Sequence, residues 1–494
     1  MKRTLSLIIV LAMAFSLMLG VIPSAEEAAG ELDISEARVE FGDVVYLFIA
    51  VDYTASDAEG ITLQITNNKT GAQTILEPDA SIEVREGRVA FKYTDLGAKN
   101  IGDELTLQAL KNGVASGDSV NYSVLEYAIK AQDFGDANLT NLVNAMVAYG
   151  AAAQEAYEHE GSYDLTKNYG LVVVSGSAEG KAIAEVGSTA TFTPDVAGST
   201  LYDMTLTAVD SITVPAGNSK FFYISEAQRT PVNFDATTAT FATVEGGTAA
   251  AERTRSNYYT NEGNTGSNSR VTSNANSEGQ VQADQYVGSF FEAVSGANGY
   301  LKLSAGTTKA SIAFKEFNGD LHIRNAGARV FTLAITLGRE GLTNFAEGNL
   351  SLVGVNNLGV LTAKNNGNKT EFRALVGSAL ERDENGDHIT LCTLNAEDGV
   401  NKYVTFYIVV DIDAGTYTIY NSLNNKVHTN TGYSNKGTSS QGFVSGDIDR
   451  AALLQSYFAA GGANDNLFAF SKTNASDASA LLQKCKLYIG NIFE

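Results

Sequence analysis

Apolar and polar residues alternate through residues 31–122, with turn signals every eight to twelve residues. The pattern is clearest in VVYLFIAVDY (44–53), GITLQITNNKTG (60–71), GRVAFKYTDL (87–96) and DELTLQALKNG (103–113). A period of two means that one side of each strand is apolar, which predicts a small antiparallel β-sandwich. The period then changes. Ser123 and Glu126 have the spacing of a capping box, so a helix is expected over about 124–133. A turn follows at Gly135-Asp136, then a second helix over about 138–158. On that second helix Leu142, Met146, Tyr149, Gly150, Ala153 and Tyr157 fall on one stripe at helical spacing. Asn141, Asn144, Gln154 and Glu155 interrupt the apolar run, so it is too short to span a bilayer. The two helices are expected to form a hairpin (123–160) packed on the sandwich.

Strand-like alternation returns over 165–229 in YGLVVVSGS, STATFTPD, LYDMTLTAV and SKFFYIS. This stretch is expected to be a small β-module or a structured linker. From 231 to 494 more than ten strand-like segments recur, and no proline follows Pro231. That density suits a two-sheet jelly roll. Residues 254–280 are polar enough to pass for a linker, yet strand-like segments flank them, so they are expected to form a long loop or weak strands. The fold class expected is therefore mainly β and multidomain.

The segment KYVTFYIVVDIDAGTYTIYNS (402–422) joins a long apolar strand, an Asp-x-Asp-x-Gly hairpin and a strand of alternating Thr and Tyr. It resembles the concanavalin A-like lectin/glucanase superfamily, in particular its laminin G-like branch. PVNFD near residue 231 and LYIGNI near the end resemble the opening and closing strands of that fold, which pair. The resemblance covers about 231–494. Many relatives carry an Asp in the closing motif where this chain has Gly490. VNYSVLEYAIKAQ followed by NLVNAMVAYGAAAQEAY resembles a sandwich-plus-helical-hairpin module of secreted, multidomain surface proteins of Gram-positive gut bacteria. That likeness covers about 31–160 and implies context rather than chemistry.

Charge and targeting narrow the partners. The 494 residues carry a formal net charge of −22, which would repel a nucleic-acid backbone and anionic membrane surfaces. Residues 1–4 are basic, Leu5 to Val21 is nearly all apolar, and small residues lead to Ala25. This is the layout of a secretory signal peptide (1–25). The mature chain is expected to be released or held noncovalently at a cell surface, with no membrane span. Secretion permits a disulfide between the only cysteines, Cys392 and Cys485; two buried free thiols are the alternative. The four histidines, His159, His322, His388 and His428, show no zinc-ligand spacing. No cofactor is expected. A structural calcium ion is left open by the acid-rich ERDENGDH (381–388), although its Asn385-Gly386 centre is the signature of a two-residue hairpin turn. SGDIDRAALLQSYF (445–458) reads as a short helix between strands rather than a dockerin repeat.

Jelly-roll glucanases carry Glu-x-Asp-x-x-Glu on one strand, which supplies nucleophile, helper and acid/base. The nearest match here is Asp411-Ile-Asp413; the position two before Asp411 is Val409 and the position three after Asp413 is Thr416, so the two catalytic glutamates are missing. Both aspartates have a simpler reading as turn residues before Gly415. No Gly-x-Ser-x-Gly or strand-to-helix glycine loop is present. Binding is the better candidate. On strand 403–411 the even positions are expected to face the core and the odd ones to face solvent. One open face would then present Tyr403, Thr405, Tyr407, Asp411, Thr418 and Tyr420 to a glycan or another surface ligand. Tyr and Thr are also simply good residues for a solvated sheet face. The sequence thus points to a secreted, non-catalytic binding protein. The alternatives are a structural or spacer component of a bacterial surface assembly, and a divergent glycoside hydrolase.

Overall fold

The computed structural model describes residues 32–41, 45–53 and 59–238, and beyond them 241–243, 254–256, 269–271, 284–287, 291–294, 296–303, 310–313, 327–339, 348–350, 359–366, 369–377, 379–380, 387–395, 402–429, 469–472 and 480–494. The expected signal peptide, most of ERDENGDH and all of SGDIDRAALLQSYF lie outside these residues. The protein is mainly β, with antiparallel sheets and two α-helices among the described residues. It divides into two compact units: Met1–Val173 with Lys181–Thr191 and Ser211–Ser219, and Val174–Gly180 with Phe192–Asp210 and Lys220–Glu494. The stretch 165–229 thus supplies residues to each unit.

In the first unit, Asp33–Phe41, Val45–Asp52 and Arg88–Tyr93 form one sheet. Gln73–Leu76, Ile61–Asn67, Glu104–Lys111 and Val114–Ala115 form another, with Val120–Ser123 also paired to Glu104–Lys111. Leu47, Ile49, Val51 and Phe91 of the first sheet and Ile61, Leu63, Ile65, Leu105 and Leu107 of the second share one apolar core. The alternation read from the sequence places these side chains inward, because successive residues of a strand point to opposite faces. On the other side of the first sheet, Arg88 bonds Asp52 and Glu36, and Arg38 bonds Glu36 and Glu40.

The helices run Val124–Ala131 and Ala137–Ala156, separated by Gly135 in the left-handed region at φ 73°. The capping box does not form. Ser123 Oγ accepts the Leu125 N–H at 3.1 Å, while Glu126 turns to the ammonium groups of Lys130 (2.6 Å) and Lys181 (2.9 Å). Two lysines outcompete one backbone N–H for a nearly buried carboxylate. The buried stripe of the second helix is also rotated from the expected one. Leu139, Val143, Met146, Gly150, Ala153 and Gln154 are inside, while Leu142, Tyr149 and Tyr157 are 45%, 68% and 72% exposed. Gln154 explains the rotation. Its Nε2 donates to the carbonyls of Tyr163 (3.0 Å) and Lys99 (3.3 Å), and its Oε1 accepts the Leu165 N–H at 3.0 Å. A fully bonded amide is cheaper to bury than its polarity implies.

In the second unit the main sheet runs Phe291–Val294, Tyr300–Leu303, Ala480–Ile489, Val330–Arg339, Tyr403–Asp411, Thr416–Asn421, His428–Thr429. Arg229–Asp235, which contains PVNFD, pairs with the last long strand in the register Asn233↔Lys486 and Asp235↔Lys484. Gly348–Leu350, Gly359–Asn366, Lys369–Gly377 and Thr390–Asn395 belong to a second sheet. The Phe372 and Phe406 rings lie 4.9 Å apart, which stacks this sheet on the main one. Cys392 and Cys485 are free and buried, so no disulfide joins them, and burial pushes both thiols well above their ordinary range.

Candidate functional site

Register partners on an antiparallel sheet share a face, so the pairings fix which side chains stand together. One face of the main sheet carries Phe331, Leu333, Ile335, Val404, Phe406, Ile408 and Val410, and it is the core face. The even positions of Tyr403–Asp411 therefore point inward, as the alternation requires. The other face carries three rows of interest. Lys486, Ala334, Tyr407 and Tyr420 form one; Asp235, Lys484, Thr336 and Thr405 the next; Gly338 and Tyr403 the third.

This second face was expected to be open, and at its centre it is not. Tyr407 is 0% exposed, and Thr405 and Val409 are buried too. Leu206, Phe222 and Ile224 join Tyr407, Ala334, Tyr488 and Ile492 in a second apolar core, with Tyr202, Met204, Tyr420 and Phe493 packed against it. The Tyr407 ring meets Phe222 edge-on at 5.4 Å and Phe493 at 5.2 Å. Its hydroxyl donates to the Met204 carbonyl at 3.1 Å. That carbonyl sits in a tight loop in which Asp203 Oδ1 accepts the N–H groups of Thr205 and Thr207, both at 2.9 Å, and Leu206 takes φ 64°. Tyr420 packs on Phe493 at 4.2 Å, and the Lys220 ammonium stands 5.6 Å from its ring centre. Two of the three tyrosines expected to hold a sugar ring, Tyr407 and Tyr420, thus pack on the chain's own Phe222 and Phe493.

The remaining expected residues scatter. The Thr405 and Thr336 hydroxyls bond one another at 2.9 Å. Asp411 Oδ1 accepts the N–H groups of Asp413 and Ala414, both at 2.9 Å, which is the turn role. Thr418 shares a hydrogen bond with Thr429 at 3.0 Å near the sheet edge. Tyr403 lies against Gly338, where any side chain would collide with its ring, and its buried hydroxyl has no hydrogen-bond partner among the described residues. Burial, with a smaller push from Tyr300, holds that phenol well above its ordinary range.

What remains on this face is a basic corner. Lys484 and Lys486 flank Cys485 and point to the same side, about 6.8 Å apart along the strand. Lys484 Nζ stands 3.9 Å from Asp235 Oδ2. Arg229 is committed to Glu226 at 2.6 Å and to the Thr200 hydroxyl at 2.8 Å. Lys486 makes no hydrogen bond or ion pair among the described residues. Burial pushes its ammonium below the usual lysine range; Asp235 opposes that push, and Lys484 and Arg229 add to it. Sequence reasoning passed over this corner, although KCK inside the apolar LLQKCKLYIGNI is a signal: two charges on one side of an otherwise buried strand. Among the described residues no group of three or more His, Cys, Asp or Glu is placed to hold a metal ion. No described helix is long and apolar enough to cross a membrane.

No family model matches the chain, and no curated protein matches it. Two solved structures show weak likeness. The binding domain of Botulinum neurotoxin DC in complex with rat synaptotagmin II is 11% identical, with a TM-score of 0.24, over 45% of this chain and 46% of that one. The binding domain of botulinum neurotoxin serotype D/C VPI 5993 is 10% identical, with a TM-score of 0.25, over the same shares. The match spans less than half the length of those chains, and at such scores neither fold nor function carries over.

Proposed function

We propose that the chain is a secreted or cell-surface, non-catalytic protein that binds carbohydrate or another extracellular ligand through its C-terminal jelly roll. The ligand is placed at the basic corner of the main sheet rather than on the tyrosines. The observation that supports this reading is the amine of Lys486, half taken out of water and without a hydrogen-bond or ion-pair partner among the described residues. A polar group so placed costs free energy until an acceptor meets it, and a ligand oxygen is such an acceptor. Whichever of Asp411 and Asp413 is taken as the central aspartate, no glutamate stands two residues before it or three after it, which favours binding over hydrolysis.

Screening the full mature chain against a glycan array tests the proposal. Binding to at least one glycan, reduced by Lys486→Met, is the expected outcome. A folded chain that binds no glycan leaves the spacer reading in its place, which the Phe222 and Phe493 packing also favours. Release of reducing sugar from plant or mucin polysaccharides would restore the hydrolase reading.

A further inference from the structure

Resting on that binding reading, we propose that the ligand is acidic: a glycan whose carboxylate or sulfate is received by Lys486, with Lys484 as the supporting cation. The corner holds three cations, Arg229, Lys484 and Lys486, and two carboxylates, Glu226 and Asp235, which leaves one positive charge in excess. The three cations are not equivalent. Arg229 is spent on Glu226 and Thr200. Asp235, the carboxylate nearest the lysines, already accepts the Thr237 N–H at 3.0 Å and the Thr237 hydroxyl at 2.6 Å through Oδ1. Its other oxygen, Oδ2, faces Lys484 at 3.9 Å, a loose ion pair. Lys486 feels Asp235 only at a distance and forms no ion pair or hydrogen bond among the described residues.

On a chain of net charge −22, a locally positive and half-buried spot needs a reason. Desolvation makes an isolated ammonium unfavourable, so the fold gains nothing by placing Lys486 there unless something pairs with it. A neutral sugar hydroxyl would satisfy one N–H. An oxyanion would satisfy the charge as well, and charge-assisted bonds are roughly twice as strong as neutral ones. Arg88–Asp52 and Glu126–Lys130 in the first unit show how this chain otherwise treats a partly buried charge: each has an opposite charge within 2.6 Å.

The test uses the full mature chain and three oligosaccharides of matched length: a galacturonic acid oligomer, a sulfated galactan and an uncharged galactan. Binding is measured by calorimetry, with folding of each variant checked by circular dichroism. The uncharged oligomer is expected to bind at least about tenfold more weakly than one of the acidic ones. Lys486→Met is expected to abolish that preference by a loss of about tenfold or more, because truncating one member of a partly buried charge pair removes most of its contribution. Lys484→Met is expected to lose less. If Lys486→Met fails to fold, Lys486→Arg keeps the charge and is expected to keep the preference, while Lys486→Gln loses it. Equal binding of charged and uncharged oligomers, unchanged by Lys486→Gln, overturns this inference and leaves the binding reading standing. No binding of any oligomer, with the glycan array also silent, overturns both. Preference for the uronate over the sulfate, or the reverse, names which oxyanion the corner takes.

Discussion

The strand Glu104–Lys111 in the first unit and the strand Tyr403–Asp411 in the second have the same kind of sequence and different surroundings. In the first, Leu105, Leu107 and Ala109 are buried, while Thr106 and Gln108 look outward; Thr106 bonds the Asn68 and Asn121 amides, and Gln108 donates to the Ser116 and Gly117 carbonyls. In the second, Thr405, Tyr407 and Val409 are buried as deeply as Val404, Phe406 and Ile408. Alternation reports which residues share a side of a strand. It reports which side is wet only when one side is wet. Thr and Tyr blur the distinction, since each can serve on a solvated face or close a buried hydrogen bond. Thr336–Thr405 and Tyr407–Met204 do the second.

The comparison breaks most sharply at Tyr407. If its face were open, Tyr407→Ala would change stability by no more than about 0.5 kcal/mol. Buried among Phe222, Phe493 and Ala334, the truncation is expected to cost about 3–5 kcal/mol in chemical denaturation of the full chain. Tyr407→Phe removes the hydroxyl's bonds to the Met204 carbonyl and the Leu206 backbone and is expected to cost about 1 kcal/mol. The helical hairpin offers the next largest effect. Gln154→Ala strips partners from the Tyr163 and Lys99 carbonyls and the Leu165 N–H, at an expected cost of about 2–3 kcal/mol. Leu142→Ser and Tyr149→Ser, on what reads as the apolar stripe, are expected to stay within about 0.5 kcal/mol. If those two prove costly and Gln154→Ala does not, the rotated face is wrong.

The sandwich strands and the existence of both helices were legible, because each rests on short-range pattern or on a turn. The pairing of PVNFD with the closing strand was reached only through the family resemblance, since its partners lie far apart in the chain. The face of the second helix was not, because it turns on what one glutamine meets across the fold. The candidate site failed for the same reason. Nothing local to 402–422 announces that Phe222, roughly two hundred residues earlier, and Phe493 near the end pack on Tyr407. Lys484 and Lys486 were visible as charges in an apolar strand, but a sugar platform directs attention to aromatic residues first.

Acid is expected to weaken the second unit more gently. Glu371 is held down to about 2 from 4.5 by hydrogen bonds from Lys369 and Arg373, against the opposing effect of burial. A carboxylate whose folded value is depressed contributes stability that is fully present above 4.5 and is lost as pH falls toward 2. With solvent screening discounted, Glu371→Gln is expected to cost about 1 kcal/mol at pH 7 and almost nothing at pH 2. Denaturant midpoints at the two pH values measure this, and an equal cost at both would mean that charge is not what Glu371 contributes.

The smallest effect returns to the hairpin after Tyr403–Asp411. Asp411→Ala loses the bonds to the Asp413 and Ala414 N–H groups and is expected to cost somewhat less than about 1 kcal/mol. It is expected to leave glycan binding unchanged, because the turn lies at the end of the strand away from Tyr403, whereas Lys486 stands in the row of Ala334 and Tyr407 and Lys484 in the row of Thr336 and Thr405, each further toward the Tyr403 end. A loss of binding in Asp411→Ala, at unchanged stability, would move the ligand back to the turn and to the two aspartates that first drew attention to it.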